Sequence, residues 1–153
     1  MKDVTESKPV DLQGLNTSMT IRRVAAAAVV VTISGSDAGE LGDAPFAELD
    51  RQLARGAFAL FIDARRTKGA SVDVSNVWAR WLRTHRDDLL CIHMLTGSRY
   101  VRMTADFVRR FAELGDAMLI YTEPSVFDDG SKGRSIRNNH APSLQELPWV
   151  TAP

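Results

Sequence analysis

"AFALFIDARRTKGASVDVSNVWARWL", residues 57–82, decides the fold. Its first seven residues form a nearly continuous apolar run, the mark of a strand covered on both faces. The run ends on Asp63, and the segment ARRTKG, with Arg65, Arg66 and Lys68, reads as a basic connecting loop. A helix is then predicted from about Asp73 to Arg86. Val74, Val77, Trp78, Trp81 and Leu82 recur at i, i+3, i+4, i+7 and i+8, which places them on one helical face. Arg80, Arg83 and Arg86 lie on the other. The strand and helix make half of a β-α-β unit. The serines and aspartates between them raise the functional question.

The same reading extends outward in both directions. "MTIRRVAAAAVVVTISG", from Met19, predicts a hairpin-like pair whose second strand runs from Ala27 to Ile33 and stops at Ser34-Gly35. "APFAELDRQLARG" predicts a helix with Asp43 as N-cap, Pro45 in the first turn and Gly56 past its end. "LLCIHML" is a second buried strand. "YVRMTADFVRRFAEL" is a helix with Val101, Thr104, Ala105, Val108, Phe111 and Ala112 inward. "AMLIYTEP" is the last strand, stopped by Pro124. The order β-β-α-β-α-β-α-β predicts an α/β sandwich with a mostly parallel sheet of four to five strands and helices packed on it. Residues 1–17 read as a flexible arm, 18–128 as the domain, and 129–153 as an extended polar tail with Leu144, Leu147 and Trp149 spaced through it.

The 153 residues suffice for one domain with its own core. Nineteen basic and nineteen acidic side chains cancel, so no net charge draws the chain to nucleic acid. The single Cys91 excludes an internal disulfide. No stretch approaches the roughly 20 apolar residues of a membrane helix, and the opening MKDVTESKPVDLQG lacks the apolar segment of a secretory signal. The expectation is a cytoplasmic protein that does not insert into membranes.

The search for catalytic chemistry finds no constellation. The glycines of GSDAGELG have the wrong spacing for a dinucleotide loop, and no GK[ST] follows. Cys91 and His93 share a strand face, but their apolar neighbours predict an inert buried thiol. His85, His93 and His140 lack metal-ligand spacing, so neither a metal nor a cofactor is expected. Asp87-Asp88 and Asp128-Asp129 are adjacent rather than convergent. Thr96, Gly97, Ser98 and Arg99 open a helix after a strand and form a candidate anion site, with helix capping as the alternative use.

The element order, the strand ending VVVTISG and the LFIDARR strand leading into a helix resemble the STAS domain. The segments NVWARWLRTHRDDL and HMLTGSRYVRMTADFVRRF strengthen the likeness to its SpoIIAA-like, or STAS/SEC14-like, branch of bacterial proteins. STAS domains include anti-sigma-factor antagonists and the cytoplasmic domains of sulfate transporters. The resemblance implies a non-catalytic regulatory module that binds a protein partner, kinase-like or sigma-regulatory. In the antagonists a serine at the entrance of the helix after the third strand is phosphorylated, which would place the phosphoacceptor at Ser71 or Ser75. The Asp-Ser-Ser-Gly type pattern is absent here, and Ser71 or Asp73 reads equally as a helix cap. The implied interaction surface comprises Asp63, Arg65, Arg66, Lys68 and Asp73. A homodimer through the tail is a further expectation. The alternative is an apolar-ligand or lipid module of SEC14-like type, suggested by Phe58, Phe61, Trp78, Trp81, Met94, Met103 and Phe107 as interior residues.

Overall fold

Val29, Val31 and Ile33 turn to one face of a sheet, while Ala28 and Val30 turn to the other. Alternation of this kind makes a strand the partition between two apolar layers. The structure, a computed structural model, describes residues 8–131. Residues 1–7 of the arm and 132–153 of the tail, including His140, Leu144, Leu147 and Trp149, lie outside the described residues.

The elements are β1 (Val10–Gln13), β2 (Thr17–Ala25), β3 (Ala28–Asp37), α1 (Ala44–Ala54), β4 (Phe58–Ala70), α2 (Val72–His85), β5 (Leu89–Thr96), α3 (Arg99–Phe111), a short 3₁₀ turn (Gly115–Ala117), β6 (Met118–Tyr121) and α4 (Pro124–Ser131). The six strands lie side by side in chain order. The first two junctions are antiparallel and the next three parallel. Each parallel junction steps the same way across the sheet, so right-handed crossovers put α1, α2 and α3 on one face. The main core fills that face, with Ile21, Val31, Leu60, Ile62, Trp78 and Leu82 among its members. On the other face Ala28, Ala59, Phe61, Cys91 and Leu95 lie under Phe127 of α4.

Three features differ from the sequence expectation. The sheet has six strands, because Val10–Gln13, within the stretch read as an arm, pairs with Ser18–Ile21. Only Val10 and Leu12 are half-buried there, a four-residue alternation too short to stand out. The segment ARRTKG is strand rather than loop. Ser34, Gly35, Ser36 and Asp37 pair with Arg66, Thr67, Gly69 and Ala70, and two irregularities each insert one extra residue on β4. Finally, Pro124 both follows the last strand and opens α4, since proline fits the first helical residue, where no N–H is needed.

Trp78 and Trp81 are buried as expected, and the Trp81 indole N–H donates to Asp50 Oδ1 at 3.0 Å. Met103, Phe107 and Phe111, expected inside, are exposed. The wheel of α3 turns Val101, Ala105, Val108 and Ala112 to the sheet and carries the three larger side chains to the flank.

One buried cation ties the hairpin to α1. Arg23 on β2 is only 2% exposed. Its Nε donates to Gln52 Oε1 at 2.9 Å and its Nη2 to the Gln52 carbonyl at 2.7 Å. It also donates to the carbonyls of Ala26 and Gly56, and its guanidinium carbon lies 5.4 Å from the Phe58 ring centroid. Gln52 in turn donates to Glu48 Oε2 at 2.8 Å.

Candidate functional site

The sequence candidates lie along the carboxyl-terminal halves of β3 and β4, at the entrance of α2 and at the junction of β5 with α3. β3 supplies Asp37. Its side chain is turned inward to accept from the Gly39 N–H at 2.9 Å, and its carbonyl accepts from the Ser71 N–H at 2.9 Å. Ser71 is thereby fixed in an extended conformation as the N-cap of α2, and its Oγ accepts from the Val74 N–H at 3.2 Å. That bond satisfies one of the orphan donors of the first turn. Ser71 is half-buried, Asp73 is exposed in the first turn, and Val72 beside them is 72% exposed.

Ser75 is placed differently. It is 7% exposed, and its hydroxyl donates back to the Ser71 carbonyl at 3.1 Å. A modifying enzyme would reach it only by unwinding the first turn of α2. The two serines are one turn apart in sequence, and Ser71 is the more exposed residue of the two.

Asp63 and Arg65 are committed to each other. Arg65 Nε donates to Asp63 Oδ1 at 3.0 Å, and its Nη2 reaches Asp128 on α4. The Asp63 hydrogen bond first, and the Asp128 hydrogen bond second, hold the guanidinium charged and raise its pKa above the ordinary value. Arg65 therefore clamps α4 to the middle of β4. Sequence reasoning had no signal for this contact, because its partners are 63 residues apart. Arg66 and Lys68 remain exposed on the outer half of β4, and neither pairs with an acid among the described residues.

The candidate anion site at the start of α3 is used for capping and close packing. Thr96 is buried and donates to the Tyr121 carbonyl at 3.4 Å, and Ser98 Oγ accepts from the Val101 N–H at 3.2 Å. Arg99 is exposed. Gly97 passes so close to β4 that a Cβ there would sit 2.3 Å from the Arg65 carbonyl oxygen. Gly97→Ala is therefore expected to force the β4–α3 junction apart and cost about 2 kcal/mol, in the range of overpacking. Urea unfolding measures this, and an unchanged midpoint would refute the close approach.

Behind this edge a buried polar chain crosses β5 and β6. Cys91 Sγ lies 3.1 Å from His93 Nε2, and His93 Nδ1 lies 2.8 Å from the Tyr121 hydroxyl. Phe61 stacks on His93 with centroids 4.6 Å apart. Burial pushes the Cys91 thiol up to about 12 and the His93 imidazole down to about 4. The cysteine is therefore a thiol and the histidine neutral near pH 7, a pairing suited to packing rather than nucleophilic attack.

Between α2 and α3 an apolar cleft of about 70 Å³ is lined by Ile62, Val74, Trp78, Met94, Val101 and Ala105, among others. Pockets for small organic ligands usually span about 300–1,000 Å³. A lipid would need the two helices to separate.

A solved structure of the anti-sigma factor antagonist SpoIIAA in its unphosphorylated form matches with a TM-score of 0.54 at 20% identity, over 75% of this chain and 96% of that one. The chain carries the STAS fold. No protein-family model matches the sequence, and no curated protein does. On this STAS fold the α2 entrance follows directly on β4, and the start of α3 packs on β4 through Tyr100 against Gly69 and Gly97 against Arg65. Among the described residues, no helix is long and apolar enough to cross a membrane, and no group of three or more His, Cys, Asp or Glu side chains gathers as metal ligands would.

Proposed function

We propose that the chain is a non-catalytic regulatory module that docks another protein through the α2 entrance, with Ser71 as the phosphoacceptor that tunes the contact. The observation that carries this reading is the placement of Ser71 on a SpoIIAA-like fold: it caps α2 and is half-buried, while Ser75 is enclosed. A phosphate at that position would meet the free N–H groups of a helix start, and the exposed Arg66 and Lys68 lie on the adjoining strand. Its added charge would then alter the surface offered to a partner. Exposed Val72 and Asp73 give that surface an apolar and an acidic element beside the serine. The small α2–α3 cleft favours protein docking over the lipid-binding alternative.

The test combines mass spectrometry of the natively expressed protein with a photocrosslinker at Asp73. Phosphate is expected on Ser71 and not on Ser75, and Asp73 should crosslink to a kinase-like or sigma-regulatory protein. Ser71→Asp should cut that crosslink at least tenfold. Ser71→Ala should keep it while costing about 1 kcal/mol of stability through the lost cap. Equal crosslinking by the Asp and Ala variants would overturn the switch, and the absence of any protein crosslink at Asp73 would overturn the docking surface.

A further inference from the structure

Four of the eight large exposed hydrophobic residues among the described residues lie on α3: Tyr100, Met103, Phe107 and Phe111, at 58%, 63%, 40% and 47% exposure. Their spacing of three, four and four places them in a single row along the helix. Phe107 and Phe111 stack with centroids 5.6 Å apart. At the upper end Tyr100 lies over Gly69, where a Cβ would sit 3.1 Å from its ring. Thr104, between the row and Val108 on the wheel, lines the apolar cleft shared with α2. The row thus forms a ridge about 16 Å long at 1.5 Å per residue, or three helical turns, with the small cleft as a groove beside it.

The charges around the row are one-sided. Arg99, Arg102 and Arg110 are exposed and make no ion pair among the described residues. The acids nearby are already engaged: Asp106 pairs with Arg109 at 2.8 Å, and Glu113 receives Arg83 and Arg86. Local positive charge therefore stands out against a chain of zero formal net charge.

We infer that this flank of α3 docks an acidic amphipathic helix of a partner protein. A ridge beside a groove between two helices accepts the i, i+3, i+4, i+7 knobs of a third helix. The unpaired arginines ask for carboxylates at its margins. A second copy of this chain fits poorly, because an isologous contact would bring the same arginines face to face. Residues 132–153 fit poorly as well, carrying three basic residues and one acid. Anionic membranes and single-stranded nucleic acid also favour basic aromatic surfaces. A membrane, however, makes no use of a groove, and Phe107 and Phe111 spend ring faces on each other rather than offering both to bases.

The inference rests on the proposed function only in taking the partner to be a protein, and the test separates the two. A photocrosslinker replaces Phe107 in one full-length variant and Asp73 in another, each expressed in native cells. Phe107 is expected to crosslink to a foreign segment in which acids outnumber bases and apolar residues recur at helical spacing. A synthetic peptide of that segment should bind the purified chain, and combined Arg99→Glu, Arg102→Glu and Arg110→Glu substitution should weaken it at least tenfold with the circular dichroism spectrum unchanged. Crosslinks only to this same chain, crosslinks that nuclease removes, or flotation with phosphatidylglycerol vesicles that Phe107→Ala abolishes would each overturn the inference. So would a silent Phe107 position while Asp73 captures a protein, an outcome that leaves the α2 entrance standing.

Discussion

Arg23→Ala is expected to lower the unfolding free energy by about 2–4 kcal/mol, the cost of leaving the buried Gln52 acceptors without their charged donor. Arg23 donates to three backbone carbonyls and to the Gln52 side chain; its two bonds to Gln52 are buried, while those to the Ala26 and Gly56 carbonyls reach exposed residues. Alanine leaves those acceptors without donors, and buried carbonyls cannot recover their hydrogen bonds from water. It also removes the cation from the Phe58 ring. Arg23→Lys should fall between wild type and alanine, since one ammonium cannot reproduce a planar fork with several donors. Urea denaturation of the three proteins at pH 7.5 measures the series. A loss below about 1 kcal/mol for alanine would show that the network relaxes at little cost. The clamp lies at the opposite end of the sheet from Ser71, so partner binding by the folded fraction should be unchanged.

Stability is also expected to fall as pH drops from 6.5 toward 4, by roughly 3 kcal/mol in total, because of His93. Burial pushes its native pKa down to about 4, while the unfolded chain titrates near the ordinary value of 6.5. Between those values the unfolded state binds a proton that the native state refuses. The contribution is therefore complete above pH 6.5 and is lost progressively below it. His93→Gln keeps a polar side chain beside Tyr121 and Cys91 and should flatten the profile between pH 7 and 5, where few carboxylates titrate. Parallel slopes for wild type and variant would place the acid sensitivity elsewhere. Because Phe61 stacks on His93 and packs edge-on against Phe127, the first region to loosen should be α4. Amide exchange of residues 125–131 reads that directly.

Much of this architecture is visible in apolar periodicity. FALFI, VVV and the Trp78–Trp81 stripe announce their elements because burial dictates their composition. The missed parts are those held by backbone pairing or by distant partners. The outer half of β4 keeps polar side chains in solvent and pairs through its main chain, so ARRTKG looks like a loop. The Arg65–Asp128 contact depends on where α4 docks, which local sequence does not encode. At the site, the helix entrance and its serines were legible. Which serine is the more exposed was not, because that depends on the turn of α2 against the sheet. On α3 the difficulty was an excess of signal. Apolar residues cover more than half of the helix circumference, and periodicity alone could not tell which of them face outward.

The agreement between strand order and chain order has a kinetic consequence. Every strand hydrogen-bonds only to its neighbour in sequence. No strand must wait for a distant segment to be inserted between two others. The β2–β3 hairpin closes a two-residue turn, and each later strand joins after one helix, so contact order stays low for a protein with a six-stranded sheet. Such a chain can grow its sheet outward from the hairpin in the order in which a ribosome releases it, with the Ser71 edge forming once β4 and α2 have emerged.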